Sequence, residues 1–299
     1  MNKTLRNFLI AGAAVFAAGA VVFVIGMSAL KWDFSRLDAV EYKQCAYSAA
    51  ESGDSVTAAE IDVQSFGVVI ESGEGIALDY YEASDSEVTV GVENGVLKIT
   101  EKQKPASWFT RGAFSFGRIK YKYVLTVPSG LPLNVKGATA EITMNSIETE
   151  KLDIDCTNLS MTFSDCTVSS LKINSTNLHV SFVNTEVSEF RANSTNNNVK
   201  ARGSRLNSIV AEGTNVDFDF VDTECGTVIS DGTNVKFGFD SVTVDKVTLR
   251  GTNVNAKLRI KGDRREYTVV NDGEIQQTGN TDKRLSFDGT NVRLELNFI

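Results

Sequence analysis

The chain has 299 residues, 42% hydrophobic and 23% charged, enough for a sizeable core. Its formal net charge is −8, which argues against nucleic acid as a partner and against broad contact with anionic lipid. Only three prolines stand against 23 glycines, a balance suited to long runs of paired strand.

In chain order, residues 1–30 read as a short cytoplasmic head and a membrane anchor. Phe8 to Leu30 is an apolar run without a charge, long enough as a helix, at about 1.5 Å per residue, to cross about 30 Å of hydrocarbon. Lys3 and Arg6 precede it, and the positive-inside bias keeps them in the cytoplasm and sends the rest across the cell membrane. A cleaved signal peptide would have a shorter apolar region, about 7–15 residues, and a small-x-small cleavage site. Met27-Ser28-Ala29 is a poor site, so the run reads as an uncleaved signal anchor of a single-pass protein.

Residues 31–55 are mixed and polar and read as a stalk, with Trp32 at the membrane interface and a short helix over Glu41–Ala50. Residues 56–132 read as irregular β coils. Ile61, Val63, Ser65, Val68 and Ile70 fit positions 1, 3, 5, 8 and 10 of the repeat described below, with Phe66-Gly67 at its corner. Further strands are expected over 76–81, 87–92, 96–100 and 119–127, with a tight turn at Glu93-Asn94-Gly95. Between them, Trp108, Phe109, Phe114 and Phe116 crowd one loop, which reads either as a cap over the first coil or as a partner-binding loop.

Residues 133–299 carry the organising signal. Gly-Thr-Asn-Val or a near-copy recurs, with asparagines at Asn158, Asn177, Asn196, Asn215, Asn234, Asn253 and Asn291. Each step is nineteen residues, and the last is two such steps. A fixed short period means one supersecondary unit stacked on its copies. Within each unit apolar or small residues fall at positions 1, 3 and 5, then 8, 10 and 12, as in Ile209, Ala211, Gly213, Val216, Phe218 and Phe220. This alternation marks strands with one buried face, and the phase break between the two runs marks a corner. Asn there is expected to take the left-handed backbone conformation, with its amide hydrogen-bonded along the stack. The predicted fold is therefore all-β: a parallel β-helix, or β-solenoid, with nineteen-residue coils and a Thr-Asn corner ladder. The coil from Glu266 breaks the pattern at Val270-Asn271-Asp272-Gly273, where a bulge or loop is expected without loss of register. The last coil, Val292 to Ile299, is a plain strand, and a partner or a second copy of the chain is expected to cover it.

Chemistry is sparse. His179, the single histidine, sits at an outward position, and no nucleophile–base set, zinc motif or phosphate loop appears. The four cysteines lack metal-ligand spacing; Cys156 and Cys225 fall at inward positions. Position 4 of successive coils carries Asp155, Asn174, Asn193, Glu212 and Asp231, a candidate metal stripe. Carboxylate clusters of this kind serve polysaccharide-active β-helix enzymes, often with calcium. Surface stripes on a solenoid are usually solvated charge, the flanking faces here lack a matching Arg/Lys and aromatic platform, and no cofactor is implied.

The Lys/Arg head, membrane helix and stalk, followed by Ile61-Asp62-Val63, Asn94-Gly95-Val96-Leu97-Lys98-Ile99, Leu125-Thr126-Val127-Pro128 and stacked coils, resemble the bacterial putative-adhesin family. That domain of unknown function occurs on the cell envelope and in membrane proteins of Lia-type envelope-stress systems. The resemblance covers residues 56–299 and the anchor arrangement. It implies a β-solenoid ectodomain and supplies no catalytic residues. The function expected is a surface interaction module that binds an envelope component or a membrane protein; the alternatives are a regulatory partner in envelope-stress signalling and a polysaccharide-active enzyme.

Overall fold

The computed structural model describes residues 3–29, 31–32, 42–84, 86–103 and 122–299. The chain divides into two units, one holding the N-terminal helix and the other nearly all of the β structure. The helix, α1 (Lys3–Ala29), closes with two hydrogen bonds, from the N–H of Lys31 to the carbonyl of Ser28 and from that of Trp32 to Met27. Lys31 takes a left-handed φ of 53° there, so the orphan carbonyls of the last turn are satisfied by a reversed cap. Val15, Phe16, Val22 and Ile25 on this helix are largely exposed. Among the described residues no helix is long and apolar enough to cross a membrane.

The second unit is one continuous sheet system. In chain order it holds β1 (Tyr42–Ser48), the one-turn helix α2 (Ala49–Ser52), β2 (Ala58–Asp62), β3 (Ser65–Ser72), β4 (Ala77–Ala83), β5 (Ser86–Glu93), β6 (Val96–Gln103) and β7 (Tyr123–Val127). The regular coils follow as β8 (Leu133–Asn145), β9 (Glu148–Ser164), β10 (Thr167–Val183), β11 (Glu186–Arg202), β12 (Arg205–Val221) and β13 (Glu224–Ile260). Then come β14 (Tyr267–Asn271), β15 (Glu274–Gln277) and β16 (Lys283–Phe298).

From β8 to β13 each strand pairs parallel with the next at a shift of nineteen, so Leu152, Leu171, Phe190 and Ile209 stand in file, as do Phe163 and Phe182. These columns are almost fully buried. Ring contacts complete them: Phe163 and Phe182 stack 5.0 Å apart between centroids, Phe220 and Phe239 stack at 5.3 Å, and Phe218 and Phe237 meet tilted at 4.5 Å. Each such side chain contributes roughly 1.5–3 kcal/mol by leaving water. The expected solenoid is the observed fold.

Three local expectations are corrected. Residues 42–52 form β1 and a single helical turn rather than a helix over 41–50, because β1 finds a pairing partner in β4. The first coil is shifted by two residues: Ala59, not Ile61, stands over Leu133, and Val68 stands over Ile142. A shift of two keeps every side chain on its own face, so hydrophobic alternation cannot distinguish the two registers. Third, none of the corner asparagines has positive φ. The left-handed residues are Ser146, Asp165, Asn184, Gly203, Asp222 and Ser241, again nineteen apart, at the opposite end of each coil. The Thr-Asn corner instead bends within extended backbone.

The irregular coil also resolves. β13 pairs directly with β16, Lys246 against Arg284 and Asn253 against Asn291, so residues 261–282 are looped out and the register survives. The loop holds a 3-10 turn over Arg264–Glu266 and the antiparallel β14–β15 pair, which turns at Asp272 and Gly273 (φ 50° and 76°). At the N-terminal end, β5 pairs β6 across Asn94-Gly95, both with positive φ as a two-residue hairpin turn requires.

Candidate functional site

The asparagine corner is the most regular outward feature of the coils. The side-chain amide of Asn177 donates to Asn158 Oδ1 at 2.7 Å, Asn196 to Asn177 at 2.7 Å and Asn215 to Asn196 at 2.7 Å. Asn234 donates to Asn215 and Asn253 to Asn234, both at 2.8 Å, and Asn291 donates to Asn253 at 3.0 Å across the looped-out coil. All six bonds run in one sense, so the amide dipoles align and polarise one another. The expected ladder is therefore present, although its backbone is extended.

Inward of the ladder, position 5 carries Cys156, Ser175, Ser194, Gly213, Gly232, Gly251 and Gly289. A Cβ on Gly213 would fall 2.0 Å from the Ser194 carbonyl oxygen and 2.7 Å from Nδ2 of Asn197. The glycine thus makes room for an unusual neighbour. Asn197 occupies the column of Leu159, Leu178, Val216 and Val235, and it is 3% exposed. Its amide donates to the carbonyls of Ser194 and Glu212, each at 3.0 Å, and its Oδ1 finds no partner among the described residues. The repeat places this position inward, but Asn197 follows Asn196 in a polar run, so its residue type gives no sign of burial.

Outward of the ladder the position-4 residues are in file as expected: Asn174 lies between Asp155 and Asn193, and Asn193 beside Glu212, which pairs Asp231. Asp155, Asn193, Glu212 and Asp231 are exposed. Two asparagines separate Asp155 from the other carboxylates, and among the described residues no group of three His, Cys, Asp or Glu could hold a metal ion. What the stripe does border is a shallow, open trough of about 640 Å³. Glu212 and Asp231 form one side, the backbone of Gly213, Gly232 and Gly251 the floor, and Thr214, Thr233 and Thr252 the other side. It offers hydroxyls, carboxylates and bare peptide groups at one repeating step.

The opposite corner is held differently. Behind four of the six left-handed residues sits a buried hydroxyl or thiol, Cys166, Thr185, Ser204 or Thr223, and behind the first and last sit buried Ile147 and Val242. Thr185, Ser204 and Thr223 donate to the carbonyls of Val183, Arg202 and Val221 at 2.9–3.0 Å. The N–H of Thr185 in turn donates to Ser204 Oγ at 3.1 Å. The signal for this corner was in the sequence, since Ser, Asp, Asn and Gly recur there every nineteen residues.

The remaining candidates are inert or lie elsewhere. His179 is exposed. Burial raises the thiols of Cys156, Cys166 and Cys225, the first to about 12, with Asp155 adding to the effect. Near the N-terminal end Lys122 and Glu101 form a buried ion pair, and Tyr123 donates to Glu101 at 3.2 Å. Burial and the Glu101 charge push that phenol up. Sequence reading had no way to pair Glu101 with Lys122. Trp108, Phe109, Phe114 and Phe116 lie outside the described residues.

A parallel β-solenoid with an outward amide ladder and a polar trough defines a stacked-coil protein of the all-β class. Residues 56–232 match the family described as Toastrack DUF4097, and the chain belongs to that family. The coils from 233 onward lie beyond the match and keep the same ladder. No curated protein matches the sequence. A putative cell adhesion protein from Clostridium sporogenes ATCC 15579 aligns over 75% of this chain and 100% of its own, at 11% identity and a TM-score of 0.28. A putative adhesin from Parabacteroides merdae ATCC 43184 aligns over 74% of this chain and 95% of its own, at 10% identity and a TM-score of 0.35.

Proposed function

We propose that this chain is a non-catalytic interaction module, tethered to the cell membrane by residues 8–30 and displayed outside it, that binds an extended polar polymer of the cell envelope. The observation that carries this reading is the trough beside the ladder, whose Glu212, Asp231, Thr214, Thr233 and Thr252 repeat at the coil step. A small-molecule site is normally concave and mostly apolar; this trough is open and polar, and suits a ligand that also repeats. The apolar side chains exposed on α1 support the tether.

The test is binding of the detergent-solubilised full chain to isolated envelope polymer, against a variant with Thr214→Lys, Thr233→Lys and Thr252→Lys. All three threonines are exposed, so the fold should survive. Binding should fall by about tenfold or more, the loss of roughly 1.4 kcal/mol of contact. Equal binding by both proteins would move the site off the trough, and no binding by either would sink the module reading. Resistance of the full chain to alkaline extraction from membranes checks the tether independently.

A further inference from the structure

On one side β16 is fully paired with β13. On the other, β14 covers only Lys283–Phe287, and among the described residues no strand pairs with residues 288–298. Val254, Ala256, Leu258 and Ile260 in the coil beneath are no more than 1% exposed, whereas Val292, Leu294, Leu296 and Phe298 directly above them are only partly buried. A bare edge of this kind is a template for another strand, and natural edges are blunted by proline, bulges or brevity. Residues 290–298 contain no proline or glycine, and their pairing with β13 runs without a bulge.

The sequence of this edge complements itself. We infer that residues 291–297 pair antiparallel with the same segment of a second copy, about a two-fold axis at Leu294. In that register Leu294 faces its own copy, Val292 faces Leu296, Asn291 faces Asn297, and Arg293 faces Glu295 twice over. Inward residues must face inward residues, so the neighbouring registers are those centred on Arg293 or Glu295. The first sets Arg293 against itself and the second sets Glu295 against itself, and like charges directly opposite are destabilising. Only the Leu294 register joins opposite charges, and a self-complementary patch is what a two-fold interface requires.

The coils already use this device internally. Lys236 meets Asp217 at 3.0 Å, Arg259 meets Asp240 at 2.8 Å, and Lys257 meets Glu295 at 3.3 Å, each across one strand step. Arg293 stands over Asn255 and forms no ion pair among the described residues. The second copy supplies its carboxylate. In the strand order, β1 stands at the end opposite to the β16 region.

The experiment is the molar mass of the detergent-solubilised full chain by light scattering and sedimentation over a wide concentration range. Arg293→Glu and Glu295→Arg each place like charges across the axis twice, and each should weaken dimerisation by about tenfold or more. The double swap restores both pairs and should recover dimerisation to near the parent's. Both positions are exposed, so the far-ultraviolet circular dichroism spectra of the single variants should match the parent's and exclude misfolding as the cause. A strict monomer overturns the inference, as does a dimer indifferent to the single reversals or a double variant that stays monomeric. None of these outcomes bears on envelope binding by the trough, whose threonines lie in other coils.

Discussion

The two corners of each coil solve one problem by opposite means. At the Thr-Asn corner the backbone stays extended and the side chains do the holding, through an exposed amide ladder. At the other corner the backbone itself turns left-handed, and buried hydroxyls tie it down from behind. The first solution demands one residue type, because only a side chain that both donates and accepts can propagate a ladder. The second demands only tolerance of positive φ, so Ser, Asp, Asn and Gly all serve. Strict repetition in a sequence therefore marks where side chains bond to side chains, and it need not mark where the chain turns most sharply.

Placing a charge inside the amide corner should break the molecule most severely. Asn197→Asp would set a carboxylate against the carbonyls of Ser194 and Glu212, with no cation to answer it. An uncompensated buried charge costs about 3–5 kcal/mol. The variant's carboxyl would be held well above the ordinary carboxylate range, so its folded form binds the proton more tightly than its unfolded form. The loss is then absent below the unfolded value of about 4 and grows as pH rises above it. Urea midpoints at pH 4 and pH 7 check this, and a pH-independent difference from the parent would refute it.

The turning corner should be next in sensitivity. Asp222 sits at φ 47°, which a β-branched residue resists. Asp222→Val should cost about 1–3 kcal/mol, while Asp222→Gly should be near neutral. The exposed contact with Lys261 at 3.2 Å contributes little to either result. Equal losses in the two variants would mean that the carboxylate, and not the backbone angle, holds this corner.

What the sequence could reveal follows the same division. Alternation and the nineteen-residue step placed Leu171, Phe182, Val216 and the asparagine ladder correctly, because burial and amide bonding both select residue type. The left-handed corner was misplaced, because its residues share only a backbone tolerance. The register of the first coil was also missed, since Ala59 and Ile61 face the same way. At the candidate site the stripe and the threonines were legible as columns. The trough they border depends on glycine backbone that carries no side-chain signal.

Within the ladder, position should set the size of the effect. Asn215 both donates to Asn196 and accepts from Asn234, so Asn215→Ala removes two bonds. Asn291 only donates, to Asn253. At about 0.5–1.5 kcal/mol per bond, and less for exposed ones, Asn215→Ala should cost about 1 kcal/mol and Asn291→Ala about half of that. Equal costs in thermal or urea unfolding would show that the amides act singly and not as a chain.

The smallest expected effect is local and sharpens the comparison most. Cys156 lies just inside the amide corner, and Cys166 just behind the left-handed Asp165. Cys166 also donates to the carbonyl of Ser164 at 3.2 Å. Both thiols are raised by burial, so labelling in the native state requires local opening. Asn177→Ala removes two ladder bonds, the one to Asn158 beside Cys156 and the one from Asn196, and leaves the other corner untouched. If those two bonds hold their corner shut by about 1 kcal/mol, alkylation of Cys156 should quicken about fivefold. Cys166 should not respond, because its corner is closed by backbone geometry and a buried sulfur contact. Mass spectrometry of the labelled peptides separates the two thiols. Equal acceleration at both would mean that the corners open together and that the coil, rather than the corner, is the unit of local stability.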